Sequence, residues 1–439
     1  MAISTEVLAS QNPWWEDPVG IEKDEKIREA FSRKHRTEYE FEKGNFLIIG
    51  PRQVGKTTFM KLLIHKLIKD KINSKNILFF SCEALREKDD IISLIQLFDR
   101  FSQGQKYIFL DEITFVKDWD VAIKFILDNL AKDKFIYISG SSIATFKGER
   151  FPGRDIVIRE FLPLKFREFC FLFGSDNLKE NLRKIELADF NSERIFESCL
   201  KTLPFFKEIQ ILFERYLECG GFLLPAFQLI EEGEIMDKTF EVYKNWILGD
   251  LSKLERSERI FSSVTQGVIK SYGTRFSLSS IAREMEIGSH VTVRKYLELM
   301  ENLFLIRSYF NTRLDKKMLL FRKERKVYFS DPFLFRVFNW YVFGSKRISD
   351  ERLPSLIEGV VGEHLKRKFG QKVFYFSNRK EVDFIVENLG IEIKIGKVGG
   401  RDFPKIEIRN KVLLSKDSME DFGIGRVKVV PISSFLLIV

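Results

Sequence analysis

Gly50-Pro51-Arg52-Gln53-Val54-Gly55-Lys56-Thr57 follows the apolar run Phe46 to Ile49 and opens into an amphipathic stretch, Phe59 to Ile68. It fits G-x-x-x-x-G-K-[ST] in the strand, loop, helix order that a phosphate-binding loop requires. The glycines let the backbone curl so that successive N–H groups and a helix N-terminus face an anion. Lys56 then reaches the outer phosphates and the Thr57 hydroxyl is offered to magnesium. The octet and the adjoining Thr58 are the expected contacts of a nucleoside triphosphate, ATP with Mg2+.

Binding alone does not hydrolyse anything. Tyr107-Ile108-Phe109-Leu110-Asp111-Glu112 reads as an apolar strand ending in two adjacent carboxylates. Asp111 is placed to hold magnesium through its water shell, and Glu112 to orient and deprotonate the attacking water. A phosphate-binding loop upstream of such a pair points to hydrolysis.

Apolar strand candidates run Phe46 to Ile49, Ile77 to Ser81, Tyr107 to Leu110, Phe135 to Ser139 and Asp155 to Arg159, most of them separated by helical patterns. This alternation predicts an α/β fold, a parallel sheet with helices on both faces and the ligand at the strands' carboxyl ends. The fourth strand ends in Ser139-Gly140-Ser141-Ser142, which is either a γ-phosphate sensor, with Ser141 in the catalytic set, or a run of good turn residues. Arg154, in Pro152-Gly153-Arg154, either reaches a γ-phosphate in its own or a neighbouring subunit of a homo-oligomer, or serves in a structural ion pair. Trp14 and Trp15 are either an adenine-stacking lip or plain packing.

A chain of 439 residues exceeds the roughly 250–300 at which single cores stop growing, so several domains are expected. Hydrophobic residues at 44%, 44 phenylalanines among them, against 31% charged residues describe a globular protein. No apolar run reaches the roughly 20 residues a membrane span needs, and MAISTEVLASQNPWW lacks a secretory order, so a cytoplasmic protein with no membrane partner is expected. Cys82, Cys170, Cys199 and Cys219 match no metal-ligand spacing and read as buried thiols. The net charge of +9 favours an acidic partner such as DNA, although charged surfaces of this kind are also met in thermophile proteins.

The expected boundaries are 1–162 for an N-terminal segment and nucleotide-binding core, 163–255 for a helical lid, 256–345 for a helix-turn-helix module and 346–439 for a C-terminal α/β domain. In the third, Ser277 to Ala282 starts a short helix, Ile287-Gly288-Ser289 turns, and His290 to Phe304 forms a second helix exposing His290, Thr292, Arg294 and Lys295. Arg313 to Lys326 then carries seven basic residues (Arg313, Lys316, Lys317, Arg322, Lys323, Arg325, Lys326) against Asp315 and Glu324. It reads as the basic wing of a winged helix, touching DNA or serving only in protein packing.

In the last domain Glu381 to Val386 and Ile391 to Ile395 alternate like strands around Glu387-Asn388-Leu389-Gly390. As a hairpin they bring Asp383 beside Glu392 and Lys394. Two such carboxylates hold a magnesium or manganese ion and position a water for phosphodiester attack, with Lys394 stabilising the developing charge. Otherwise they form a solvent-facing ion pair. Gly359 to Leu365 lies on a helix and supplies a further acid, Glu363.

Taken together, these residues resemble the archaeal-type AAA+ P-loop ATPases that carry a winged helix and a C-terminal PD-(D/E)XK nuclease-like domain. The likeness runs through Asn12-Pro13-Trp14-Trp15, the octet, Leu110-Asp111-Glu112-Ile113 with Trp119, Gly140-Ser141-Ser142 and Pro152-Gly153-Arg154. It continues in Pro163 to Phe169, Gly220-Gly221-Phe222 and Lys326-Val327-Tyr328-Phe329-Ser330-Asp331. The resemblance implies an AAA+ sheet, a helical lid, a winged helix and a restriction-endonuclease-like end whose pattern falls on Glu363, Asp383, Glu392 and Lys394. The function expected from these residues is an ATP-hydrolysing protein acting on DNA, with metal-dependent cleavage at its C-terminal end, the alternative being a switch or chaperone-like module binding a protein partner with an inert nuclease-like end.

Overall fold

The computed structural model describes residues 4–37, 39–141, 151–185, 190–313, 318–319, 324–396, 398–399, 401–423 and 427–439. They divide into two compact units, 1–162 with 302–304, and 163–301 with 305–439.

The first unit is built on five parallel strands, β1 (Phe46–Ile49), β2 (Ile77–Ser81), β3 (Lys106–Asp111), β4 (Lys134–Gly140) and β5 (Val157–Glu160). Their order across the sheet is β2-β3-β4-β1-β5, so the loop leaving β1 opens beside the end of β4, with the end of β3 one strand further on. β1 to β4 read as largely apolar runs because both faces are covered, whereas the edge strand β5 is exposed along its length. Leu47, Leu78, Phe80, Ile108 and Ile138 enter one buried cluster, while Phe46, Ile48, Phe79, Phe109 and Tyr137 enter another. The period-2 alternation of side chains divides them in this way.

An edge strand exposes unpaired backbone groups that invite wrong pairing. On β2 the N-terminal motif satisfies them. The Phe79 N–H donates to Asn12 Oδ1 at 2.6 Å, and Asn12 Nδ2 donates back to Phe79 O at 2.9 Å. The Ser81 N–H donates to Gln11 Oε1 at 2.9 Å, and the Ile77 carbonyl accepts from Trp14 Nε1 at 3.0 Å and Trp15 Nε1 at 2.7 Å. Trp14 is fully buried, and Trp15 stacks on Phe98 with ring centroids 5.9 Å apart. These tryptophans are therefore packing residues that cap a sheet edge, not an adenine lip.

The second unit begins with helices that include Phe166–Phe173, Ser192–Leu200, Phe206–Cys219 and Asp237–Lys253. Leu278–Glu284 and His290–Asn302 follow, joined by a short turn. Next, Ile306–Phe310 pairs antiparallel with Arg325–Phe329. The helix Leu353–Phe369 leads into a six-stranded mixed sheet in which Glu381–Val386 pairs antiparallel with Leu389–Ile393. The segment expected to be a lid packs on this sheet and on the helix Ile432–Leu436 that follows it: Lys428 Nζ lies 2.7 Å from Glu193 Oε2, and Thr202 Oγ1 donates to Ser434 Oγ at 2.8 Å.

Several motifs of the second unit meet in one buried polar clasp. The Leu164 N–H donates to Gly221 O at 2.8 Å, and the Gly221 N–H donates to Asp331 Oδ2 at 2.8 Å. The other Asp331 oxygen caps the helix Pro332–Phe343 by accepting from the Phe333 N–H. Gly220, at φ +66°, has Asp331 Oδ1 only 1.9 Å from where a Cβ would stand, so no side chain fits there. The Phe166 N–H donates to His364 Nε2 at 2.9 Å, and Arg367 Nη1 donates to the Pro163 carbonyl.

Candidate functional site

Gly55, at φ +102°, turns the loop after β1 into the helix Lys56–Lys69. Lys56 is 4% exposed, and its Nζ donates to the loop's own carbonyls, Gly50 O at 2.9 Å and Pro51 O at 2.8 Å. It also lies 3.6 Å from Glu112 Oε1. Burial pushes the ammonium's pKa down, against the opposing pull of Glu112 and Asp111. Arg52 Nη2 donates to Glu83 Oε1 at 3.0 Å. Gln53 takes a left-handed backbone, Val54 is buried and Thr58 lies within the helix.

Thr57 Oγ1 donates to Asp111 Oδ2 at 2.7 Å, while the other Asp111 oxygen accepts from the Ser139 hydroxyl. Ser139 Oγ in turn accepts from the Glu112 N–H at 2.9 Å. Loop, β3 and β4 are thus tied by one relay, Thr57–Asp111–Ser139–Glu112. Burial raises the Asp111 carboxyl's pKa, and the hydroxyls of Ser139 and Thr57 work against that rise. A hydroxyl and a carboxylate side by side are the hard oxygen donors that suit Mg2+, so the residues present fit that ion. Glu112 sits at φ +53° with Oε2 buried and without a hydrogen-bond partner among the described residues. Such a left-handed non-glycine residue costs about 1–3 kcal/mol and is held only where its surroundings enforce it.

Ser139, which the sequence offered only as one of a run, is the serine wired to the acid. Ser141 is buried, its N–H donates to Thr114 Oγ1 at 3.4 Å, and its hydroxyl lacks a hydrogen-bond partner among the described residues. Ser142 lies outside the described residues. Arg154 is engaged by both oxygens of Asp128, at 2.8 and 2.6 Å, in an exposed ion pair.

In the second unit, Asp383 and Glu392 lie on the paired strands as the alternation implied. Asp383 Oδ2 accepts from the Ile393 N–H at 2.9 Å, and Oδ1 lies 3.4 Å from Lys326 Nζ. Glu392 has its carboxyl pushed up to about 8 by burial and by Asp383. Lys394 is 41% exposed, with Nζ 4.0 Å from Asp402. Glu363 is not the third acid: it is buried between Arg307 Nε at 2.9 Å and Arg367 Nε at 2.8 Å. The acid beside Asp383 is Glu358, on the same helix, with its carboxyl also pushed up to about 8 by burial and by Asp383. The signal missed in the sequence is Arg367, four residues after Glu363 and so one turn away, which supplies that acid with its own partner.

His290, Arg294 and Lys295 are exposed on the second helix of the helix-turn-helix, and Thr292 is half-buried, its N–H donating to Ser289 Oγ at 3.2 Å. Asp315, Lys316, Lys317, Arg322 and Lys323 lie outside the described residues. Arg325 is partly buried and Lys326 is buried, so neither belongs to an open basic surface. The four cysteines are buried free thiols. No helix among the described residues is long and apolar enough to cross a membrane.

Residues 42–170 match the family described as AAA domain. Residues 211–340 match a domain of unknown function, DUF8612. No curated protein matches the chain significantly in sequence. Among solved structures, the chain is similar to the Thermotoga maritima RuvB Holliday junction branch migration motor, at 15% identity over 70% of this chain and 89% of that one, with a TM-score of 0.26. It is also similar to Cdc6p from Pyrobaculum aerophilum, at 11% identity over 78% of this chain and 98% of that one, with a TM-score of 0.24. At these values the likeness is remote and carries no functional weight.

Proposed function

We propose that the chain hydrolyses ATP at the Gly50–Thr57 loop and uses the nucleotide cycle to act on DNA. The observation that carries the first half is the relay Thr57–Asp111–Ser139–Glu112, which fixes a magnesium-binding pair and a carboxylate base relative to one another. An incoming triphosphate takes the Lys56 ammonium from the Gly50 and Pro51 carbonyls. The backbone N–H groups of the loop and the start of the Lys56–Lys69 helix supply the rest of the anion site. Glu112 accepts the proton of the attacking water, and Ser139 keeps Asp111 and the Glu112 backbone in register. Thr57 and Asp111 would hold Mg2+, which when bound would supply charge neutralisation on the transferring phosphate.

Lys56→Ala is expected to weaken ATP binding by about 100-fold, the equivalent of roughly 3 kcal/mol for a lost charge-assisted contact. Titration with a fluorescent ATP analogue reads the loss. An unchanged affinity would move the nucleotide away from this loop.

For DNA, the support is the exposed His290, Arg294 and Lys295 on the second helix, followed in the sequence by the basic residues Arg313, Lys316, Lys317, Arg322 and Lys323. Phosphate contacts of this kind give largely non-specific, strongly salt-dependent binding. Neutralising Lys316, Lys317, Arg322 and Lys323 together is expected to reduce the slope of log K against log salt by about 3–4. Unchanged affinity and slope would leave a protein partner as the better reading of this module. A homo-oligomer in which Arg154 serves a neighbour requires that Arg154 first give up Asp128. Metal-dependent cleavage by the C-terminal sheet is disfavoured, because the buried ammonium of Lys326 lies 2.8 Å from Glu358 Oε1 and 3.4 Å from Asp383 Oδ1, where a metal ion would have to sit.

A further inference from the structure

The nuclease-like resemblance asks for a divalent ion held by Asp383 and Glu392, and the residues present do not fit one. Among the described residues, no group of three or more His, Cys, Asp and Glu side chains is arranged to hold a metal ion. Both oxygens of Asp383 are already engaged, one by the Ile393 N–H and one by Lys326. Glu392 keeps one buried oxygen without a hydrogen-bond partner among the described residues. Among the buried described oxygens of this pair, that is the one spare donor, where a magnesium or manganese ion needs several.

The cation in this place is Lys326. Its side chain is 2% exposed, and its Nζ lies 2.8 Å from Glu358 Oε1, 2.7 Å from Glu381 Oε1 and 3.4 Å from Asp383 Oδ1. An ammonium has three N–H donors and no acceptor, which matches three converging carboxylates. Tyr328, two residues along the same strand, donates its hydroxyl to Glu358 as well. We infer that Lys326 is the resident cation of the C-terminal acidic cluster and that it takes the place of a divalent ion there. Buried carboxylates need a counter-charge, and the strand Arg325–Phe329, which follows the helix-turn-helix, delivers one from outside the C-terminal sheet. A second cation beside the ammonium meets like-charge repulsion and too few free oxygens. The inference is independent of ATP hydrolysis by the first unit.

The test is Mn2+ binding by isothermal titration calorimetry on the full chain, as wild type, Asp383→Asn, Lys326→Met and Lys326→Met with Asp383→Asn. The phosphate-loop residues are common to all and cancel. Wild type and Asp383→Asn are expected to give the same isotherm, whereas Lys326→Met gains a site roughly tenfold or more tighter, the effect of removing one nearby positive charge. Asp383→Asn in the Lys326→Met background abolishes that site. Wild type that binds Mn2+ through Asp383 as tightly as Lys326→Met overturns the exclusion, and a folded Lys326→Met that gains no site overturns the substitution of ammonium for metal. Thermal melting in EDTA and in Mn2+ covers a destabilised variant. A low transition of Lys326→Met that Mn2+ raises supports the inference, and one that Mn2+ leaves unmoved overturns it.

Discussion

Glu112→Gln is expected to lower ATP turnover by about 10²- to 10⁴-fold, the range for losing a positioned general base, with ATP affinity retained. The amide keeps the size of the side chain and leaves the Glu112 N–H on Ser139 in place. What it loses is the capacity to accept a proton. Glu112 Oε2 is buried and without a hydrogen-bond partner among the described residues, while Oε1 faces Lys56 at 3.6 Å, so one oxygen is held and the other keeps its accepting capacity unused. The split between binding and turnover also distinguishes this variant from Lys56→Ala, which fails at binding. Phosphate release under saturating ATP, with affinity measured separately, reads the effect. Equal turnover in the Gln variant would remove Glu112 as the base.

Glu363→Ala is expected to destabilise the second unit by about 3–5 kcal/mol, the cost of leaving buried charge without its partner. The carboxylate is 3% exposed and joins Arg307 to Arg367. Burial acts to raise its pKa, but Arg307 and Arg367 more than offset this, so the carboxyl titrates below its ordinary 4.5. A depressed folded-state pKa adds stability that is present above the unfolded value and is lost as the pH falls through the folded one. The wild type should therefore lose part of its stability at acid pH that Glu363→Ala no longer has to lose. Urea denaturation at neutral and acid pH measures both effects. A loss under about 1 kcal/mol would mean that the two guanidinium groups find other partners and that this pair is not a structural centre.

The chain's first unit was legible because its signals are local. β1 and β2 lie where the apolar runs of the sequence placed them, and β3 and β4 extend only a residue further at each end. The order β2-β3-β4-β1-β5 was not legible, because strand order depends on pairing between distant segments. The nucleotide loop and the Asp111-Glu112 pair carry their chemistry in adjacent residues, whereas Ser139 acquires its role only where β4 comes beside β3. Trp14 and Trp15 were ambiguous for the same reason: the backbone edge they satisfy lies more than sixty residues away, at Ile77. In the C-terminal cluster the strand period located Asp383 and Glu392, but nothing local marks Lys326 as their partner. It looked like part of a solvated basic run, and only the fold shows it buried among carboxylates.

Steady-state phosphate release by the wild-type chain with Mg2+ and ATP, without DNA and with single-stranded, double-stranded and branched DNA, tests the central claim most directly. Hydrolysis that requires Mg2+ and rises when DNA is added is the predicted result. A folded protein that binds ATP yet releases no phosphate under any of these conditions would contradict it.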